Sequence, residues 1–156
     1  MLDESLYWDY TICMSVTEQT LTQIKKRLRS LGASHGQLAK PEIKQLPHLL
    51  LTDEIIEAFM LGWYEGGYGM LVATNLRLVF IDVMPFGRLV IDDIPYTMIA
   101  SVELQLGLLL GSVTVFGRSK NYKFWWVDKQ NARTFSGYIE SKLLEYQKNP
   151  NDRYGN

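Results

Sequence analysis

Few residues of this chain are placed to make or break bonds. His35 lies among small and polar residues and His48 follows Pro47, and neither has the spacing of a metal pair. Both read as surface histidines. Cys13, the only cysteine, has no nearby His or helix start to lower its pKa, so it reads as a structural thiol. Asp92 and Asp93 are neighbours on an expected strand, where successive side chains diverge and cannot form an acid/base pair. Asp3 and Glu4 sit near the terminus. Among the glycines, Gly62, Gly66, Gly67, Gly69, Gly107, Gly111 and Gly117 form no Gly-x-Gly-x-x-Gly turn into a helix, and no Gly-Lys-Ser/Thr follows any of them. The sequence therefore predicts no catalytic residue, no cofactor and no metal site, and the chain reads as not an enzyme.

Binding chemistry is better represented. Arg118, Lys120 and Lys123 stand beside Tyr122, Trp125 and Trp126, and cations near aromatics can serve anionic lipid heads or nucleic acid. Three charges are few, and edge strands carry Lys and Arg simply to block unwanted pairing. A second basic set, Lys25, Lys26, Arg27 and Arg29, could approach an anionic membrane at roughly 1 kcal/mol per cation. Complementing a helix macrodipole explains the same charges. Trp125 and Trp126 are adjacent, so strand alternation predicts that one fills the core while the other needs a cover from the N-terminal arm, the neighbouring strand's side chains or another subunit. Leu108, Leu109 and Leu110 run through a turn flanked by Gly107 and Gly111, which leaves leucines outside any period-2 core. Exposed apolar clusters of this kind mark contacts.

Two kinds of element must position these residues. Ser15 and Glu18 fit a capping box opening a helix over residues 16–31, with Leu21, Ile24, Leu28 and Leu31 at helical spacing and Gly32 as its stop. Residues 32–47 mix small, polar and Pro residues and read as a linker with one short turn. From Leu49 the period changes. Runs at 55–64, 68–73, 76–83, 89–94, 99–106, 112–116 and 122–127 are rich in Val, Ile, Leu and aromatics and are separated by turn residues such as Thr74-Asn75 and Pro85-Phe86-Gly87. Seven such strands predict an antiparallel sandwich or small barrel. Ala132, Phe135, Ile139, Leu143 and Tyr146 then predict one closing amphipathic helix with Asp128 as N-cap.

Composition sets the outer bounds. The 156 residues suit one domain, 47% hydrophobic content argues against global disorder, and a net charge of −1 removes any overall drive toward nucleic acid. No nucleic-acid partner is expected. The near-neutrality conceals a division. Lys25, Lys26, Arg27, Arg29, Lys40 and Lys44 outnumber Glu18 and Glu42 in the front part, while the strand region leans acidic. A single cysteine, an acidic start and no membrane-length apolar run predict a cytoplasmic protein.

One stretch is more specific. Thr74-Asn75-Leu76-Arg77 inside a hairpin, followed by Pro95-Tyr96 with Ile99 and Ser101, and then the closing helix, resembles the bacterial pleckstrin-homology (PH)-like family often called YokE-like. The resemblance covers about residues 46–144. It implies a PH-like seven-stranded antiparallel barrel or sandwich capped by a C-terminal α-helix. A helical arm and linker at 1–45 precede the domain at 46–147, and a disordered tail follows at 148–156. The matching residues read structurally, Thr74 and Asn75 as a tight turn, Pro95 and Tyr96 as a corner, and Arg77 as a salt-bridge or turn anchor.

PH-like domains are binding modules, and fold alone does not supply a ligand. Phosphoinositide-binding members place cations in and beside the first hairpin loop, but here that loop, residues 64–68, carries one acid and no base. The expectation is therefore a non-catalytic module that binds protein or itself through Leu108, Leu109, Leu110, Trp63, Trp125 and Trp126. The basic arm is expected to dock on the acidic barrel or on a neighbouring subunit. The alternative is peripheral binding to anionic lipid through Arg118, Lys120, Lys123, Lys25, Lys26, Arg27 and Arg29. An enzyme would need a cleft that gathers polar groups now scattered along the sequence.

Overall fold

A computed structural model describes residues 21–149. The expected Ser15–Glu18 capping box, Cys13 and the expected tail at 148–156, apart from Lys148 and Asn149, lie outside the described residues. The chain divides into two compact units, Met1–Thr52 and Asp53–Asn156.

In the first unit a helix covers 21–30 (α1), with Ile24 and Leu28 buried one turn apart. Gly32 ends it at φ +97°, a conformation glycine adopts without steric cost, and the Ala33 N–H returns to the Leu28 carbonyl at 2.9 Å. The expected linker at 32–47 is instead largely helical. Ser34 and Gln37 form a reciprocal capping box that starts His35–Leu38 (α2), and Pro41 occupies the first turn of Pro41–Leu49 (α3). Leu38, Ile43 and Leu46 are buried.

The second unit is an antiparallel sheet closed by a helix. Its strands are Ile56–Tyr64 (β1), Gly67–Thr74 (β2), Arg77–Val83 (β3), Leu89–Pro95 (β4), Ile99–Leu106 (β5), Leu110–Gly117 (β6) and Asn121–Asp128 (β7), followed by Lys129–Lys148 (α4). The spatial order is β4-β3-β2-β1-β7-β6-β5, so β4 and β5 are the two edges. Alternation assigns the inner face. Ala58, Met60 and Tyr64 of β1, Leu71 and Ala73 of β2, and Leu78 and Phe80 of β3 enter one core with Val113, Val115, Tyr122, Phe124 and Val127. Asp128 caps α4 by accepting from the Asn131 N–H at 3.0 Å, and α4 inserts Ala132, Phe135 and Ile139 into that core. This is the expected PH-like arrangement, with β5 matching its expected bounds and the other strands differing by one or two residues at their ends.

The alternation fails at one place. Gly111 pairs with Val127 and Val113 with Phe124, so two residues of β7, Trp125 and Trp126, oppose the single Ser112 of β6. This bulge sends both Phe124 and Val127 inward, although they are three positions apart. Neither tryptophan fills the core, contrary to expectation. Trp125 is 44% exposed and Trp126 is 57% exposed, the latter at φ +55°. Gly62 permits the close β1–β7 approach here, since a Cβ on it would sit 2.6 Å from the Trp125 carbonyl oxygen.

Candidate functional site

The family-motif residues gather into one polar junction. Arg77 opens β3, where its Nε and Nη2 each lie 3.0 Å from a different oxygen of Glu54, whose side chain is fully buried. Its Nη1 reaches Asp93 on β4 at 2.7 Å. The hydrogen bonds to Glu54, with the charges of Glu54 and Asp93, raise the guanidinium pKa further and leave it permanently charged. The Thr74 hydroxyl donates to Glu54 at 2.7 Å and accepts from the Leu76 and Arg77 N–H groups at 3.1 Å. The Thr74 carbonyl accepts from the hydroxyls of Tyr96 and Tyr138. Asn75 accepts from the Ile55 N–H through Oδ1 at 2.8 Å and donates its own N–H to the Ile55 carbonyl at 3.0 Å. Thr74, Asn75, Arg77 and Tyr96 therefore join the β2–β3 turn, the segment before β1, β4 and α4. Pro95, paired with Arg77 across β3 and β4, starts the corner that brings Tyr96 inward. These contacts tie four parts of the second unit together.

A second cluster lies beside the β1–β2 turn, where phosphate-binding members of the superfold concentrate cations. Lys120 is bonded to Asp92 at 3.1 Å, and its ammonium lies 4.9 Å from the Tyr122 ring centroid and 5.3 Å from that of Phe80. Burial would lower the Lys120 pKa, but the Asp92 hydrogen bond and neighbouring Tyr64 hold it above its ordinary value. Burial raises the Asp82 carboxyl pKa, and the charge of Glu65 adds to that shift. Glu65, Asp82 and Asp92 thus surround one lysine, a field that repels phosphate.

The three cations of the β6–β7 region do not converge. Lys120 faces Asp92, Lys123 lies 4.1 Å over the Trp125 ring, and Arg118 lines a groove with Tyr96 and Leu143. Lys25, Lys26, Arg27 and Arg29 all lie on α1 in the first unit. Among the described residues no group of His, Cys, Asp or Glu could hold a metal ion, and no helix is long and apolar enough to cross a membrane.

The apolar candidates Leu108, Leu109, Leu110, Trp125 and Trp126 are all exposed in the second unit. Trp126 packs tilted on Trp63 with ring centroids 5.4 Å apart, and Trp63 meets Tyr68 edge-on at 5.8 Å. Trp125 pairs directly with Trp63 across β1 and β7. Leu108 and Leu109 are 91% and 81% exposed in the β5–β6 turn, and Leu110 pairs with Asp128 two residues beyond Trp126. Sequence reasoning named the tryptophans and leucines but missed Tyr68, whose place opposite Trp63 in the β1–β2 hairpin was the available signal.

No curated protein matches the chain. Among solved structures, a DUF1696 family protein with a pleckstrin-homology domain from Shewanella loihica PV-4 is 18% identical, with a TM-score of 0.41, over 73% of this chain and 93% of that one. Residues 50–141, the span from the start of β1's approach into α4, match the bacterial PH domain family. The chain belongs to that family.

Proposed function

We propose that this protein is a non-catalytic interaction module that buries an aromatic face against another protein surface, a second copy of itself included. The face consists of Trp63, Tyr68, Trp125 and Trp126, extended by Leu108, Leu109 and Leu110. The observation that carries the reading is the β7 bulge. Holding a non-glycine residue at φ +55° costs on the order of 1 kcal/mol, and here that strain turns two indoles to solvent rather than into the core. The same bulge sets Phe124 and Val127 into the core, and the indoles it leaves outside are, with tyrosine, the residues that interfaces concentrate.

Light scattering across a concentration series tests self-association. Molar mass is expected to rise with concentration, and Trp126→Glu is expected to abolish the rise while leaving the melting temperature unchanged. A monomer at all concentrations removes self-association. Sedimentation with anionic liposomes at low salt separates the lipid alternative. The dispersed cations and acidic barrel end favour no pelleting, and salt-sensitive pelleting would replace the protein reading.

A further inference from the structure

The two sheet edges are finished differently. β4 carries Asp92 and Asp93, which engage Lys120 and Arg77, and charged side chains along an edge discourage strand addition. At the start of β5 stand Ala100 and Ser101, small, neutral and exposed. β5 has only β6 as a sheet neighbour, and beyond that ladder the backbone hydrogen bond found at residues 99–106 among the described residues is the one from the Ile99 N–H to the Tyr96 carbonyl, which leaves the outer edge open from Ala100 onward. In an antiparallel ladder alternate residues aim N–H and C=O groups away from the partner strand. β5 therefore offers an unpaired row.

That row borders a groove of about 380 Å³ between β5 and the last turns of α4. Ile99, Ala100, Leu143 and Tyr146 give it apolar walls, and Arg118 is the one charged residue that lines it among the described residues. The Arg118 N–H bonds the Met98 carbonyl at 2.9 Å, which fixes the residue beside the first position of β5. Its guanidinium makes no ion pair among the described residues. Glu103, the one acid on β5, accepts from Gln105 farther along the strand.

We propose that this groove binds an extended peptide segment of another protein, which adds as a strand to β5 and sets one Asp or Glu carboxylate against Arg118. Main-chain pairing supplies affinity in such a mode, and side-chain pockets supply selectivity. The site is separate from the tryptophan face. It shares with that reading only the premise that the chain binds protein, so either can fail without the other.

The test pans a phage-displayed library of random peptides, about a dozen residues long, against the full chain. Synthesised winners are then measured by fluorescence anisotropy and amide chemical-shift mapping. Expected are β-prone peptides enriched in one acidic residue, with shifts along β5 and at Leu143 and Tyr146. Arg118→Glu is expected to weaken binding about tenfold or more, as loss of a charge-assisted hydrogen bond requires, while Arg118→Lys keeps part of the affinity. Ala100→Asp, which puts a like charge in the groove, is expected to act as Arg118→Glu does. Trp126→Glu is expected to leave peptide affinity unchanged. Unaltered melting temperatures confirm that the exposed substitutions leave the fold intact. The proposal is overturned if no peptide is selected, if winners lack an acid, or if shifts map to Trp63 and Trp126. Self-association that Ala100→Asp abolishes would also overturn it, because the occupant would then be a second copy.

Discussion

At the β2–β3 turn, Thr74 lies within hydrogen-bond reach of Glu54, the backbone of Leu76 and Arg77, and the hydroxyls of Tyr96 and Tyr138, and Arg77 holds two carboxylates. At the β1–β7 seam, two adjacent indoles face solvent on a left-handed backbone. In the first region every contact serves the fold, because a buried carboxylate left without its partner would cost more than the pair gains. In the second, apolar area stays uncovered and the backbone is strained, which lowers stability. The difference teaches where to look for function. Residues at the turn tie strands and helix together, whereas those at the bulge leave apolar area exposed.

The sharpest way to break this contrast is to unpair the junction. Glu54→Ala leaves Arg77 partly buried without its bidentate partner and is expected to cost about 3–5 kcal/mol in urea unfolding. A cost below about 1 kcal/mol would mean that the junction is not an anchor. Tyr96→Phe removes one hydrogen bond to the Thr74 carbonyl, at an expected cost of about 1 kcal/mol. It also has a pH signature. Burial raises the Tyr96 phenol above its ordinary 10.0, so the unfolded chain releases that proton first. Its contribution is complete below about pH 10 and falls as pH rises beyond it. Alkaline unfolding followed by circular dichroism should therefore be less steep in Tyr96→Phe.

The other side of the contrast predicts the opposite sign. Trp126→Gly relieves the positive φ and is expected to leave stability unchanged or raise it by up to about 1 kcal/mol, while removing concentration-dependent association. Loss of stability in thermal melts would place the indole in the fold instead. Smallest of all, Lys120→Met exchanges an exposed ion pair for apolar contact with Tyr122 and should change stability by less than about 1 kcal/mol.

Much of the anchored region was legible from sequence, because a tight turn, a Pro corner and an Arg on a known strand phase are local signals. Its closing partner was not, since Glu54 lies 23 residues before Arg77 and nothing local marks it. The tryptophan face was half legible. Composition pointed to the residues, but period-2 alternation sent one of them inward, and only the pairing of β7 with β6 reveals the extra residue. In the first unit, Ser34 and Gln37 carried a readable capping box that the surrounding Gly, Pro and small residues obscured.

The extra residue in β7 has a consequence for how this surface can vary. Phe124 and Val127 straddle the two tryptophans, so deleting either one brings the flanking core residues to ordinary two-residue spacing opposite Ser112. A single-codon deletion would erase the left-handed backbone and half of the indole pair while preserving the phase of every core position. A single-codon insertion does the reverse. The exposed indole pair can thus be gained or lost in one step, with the core residues beneath it kept in phase.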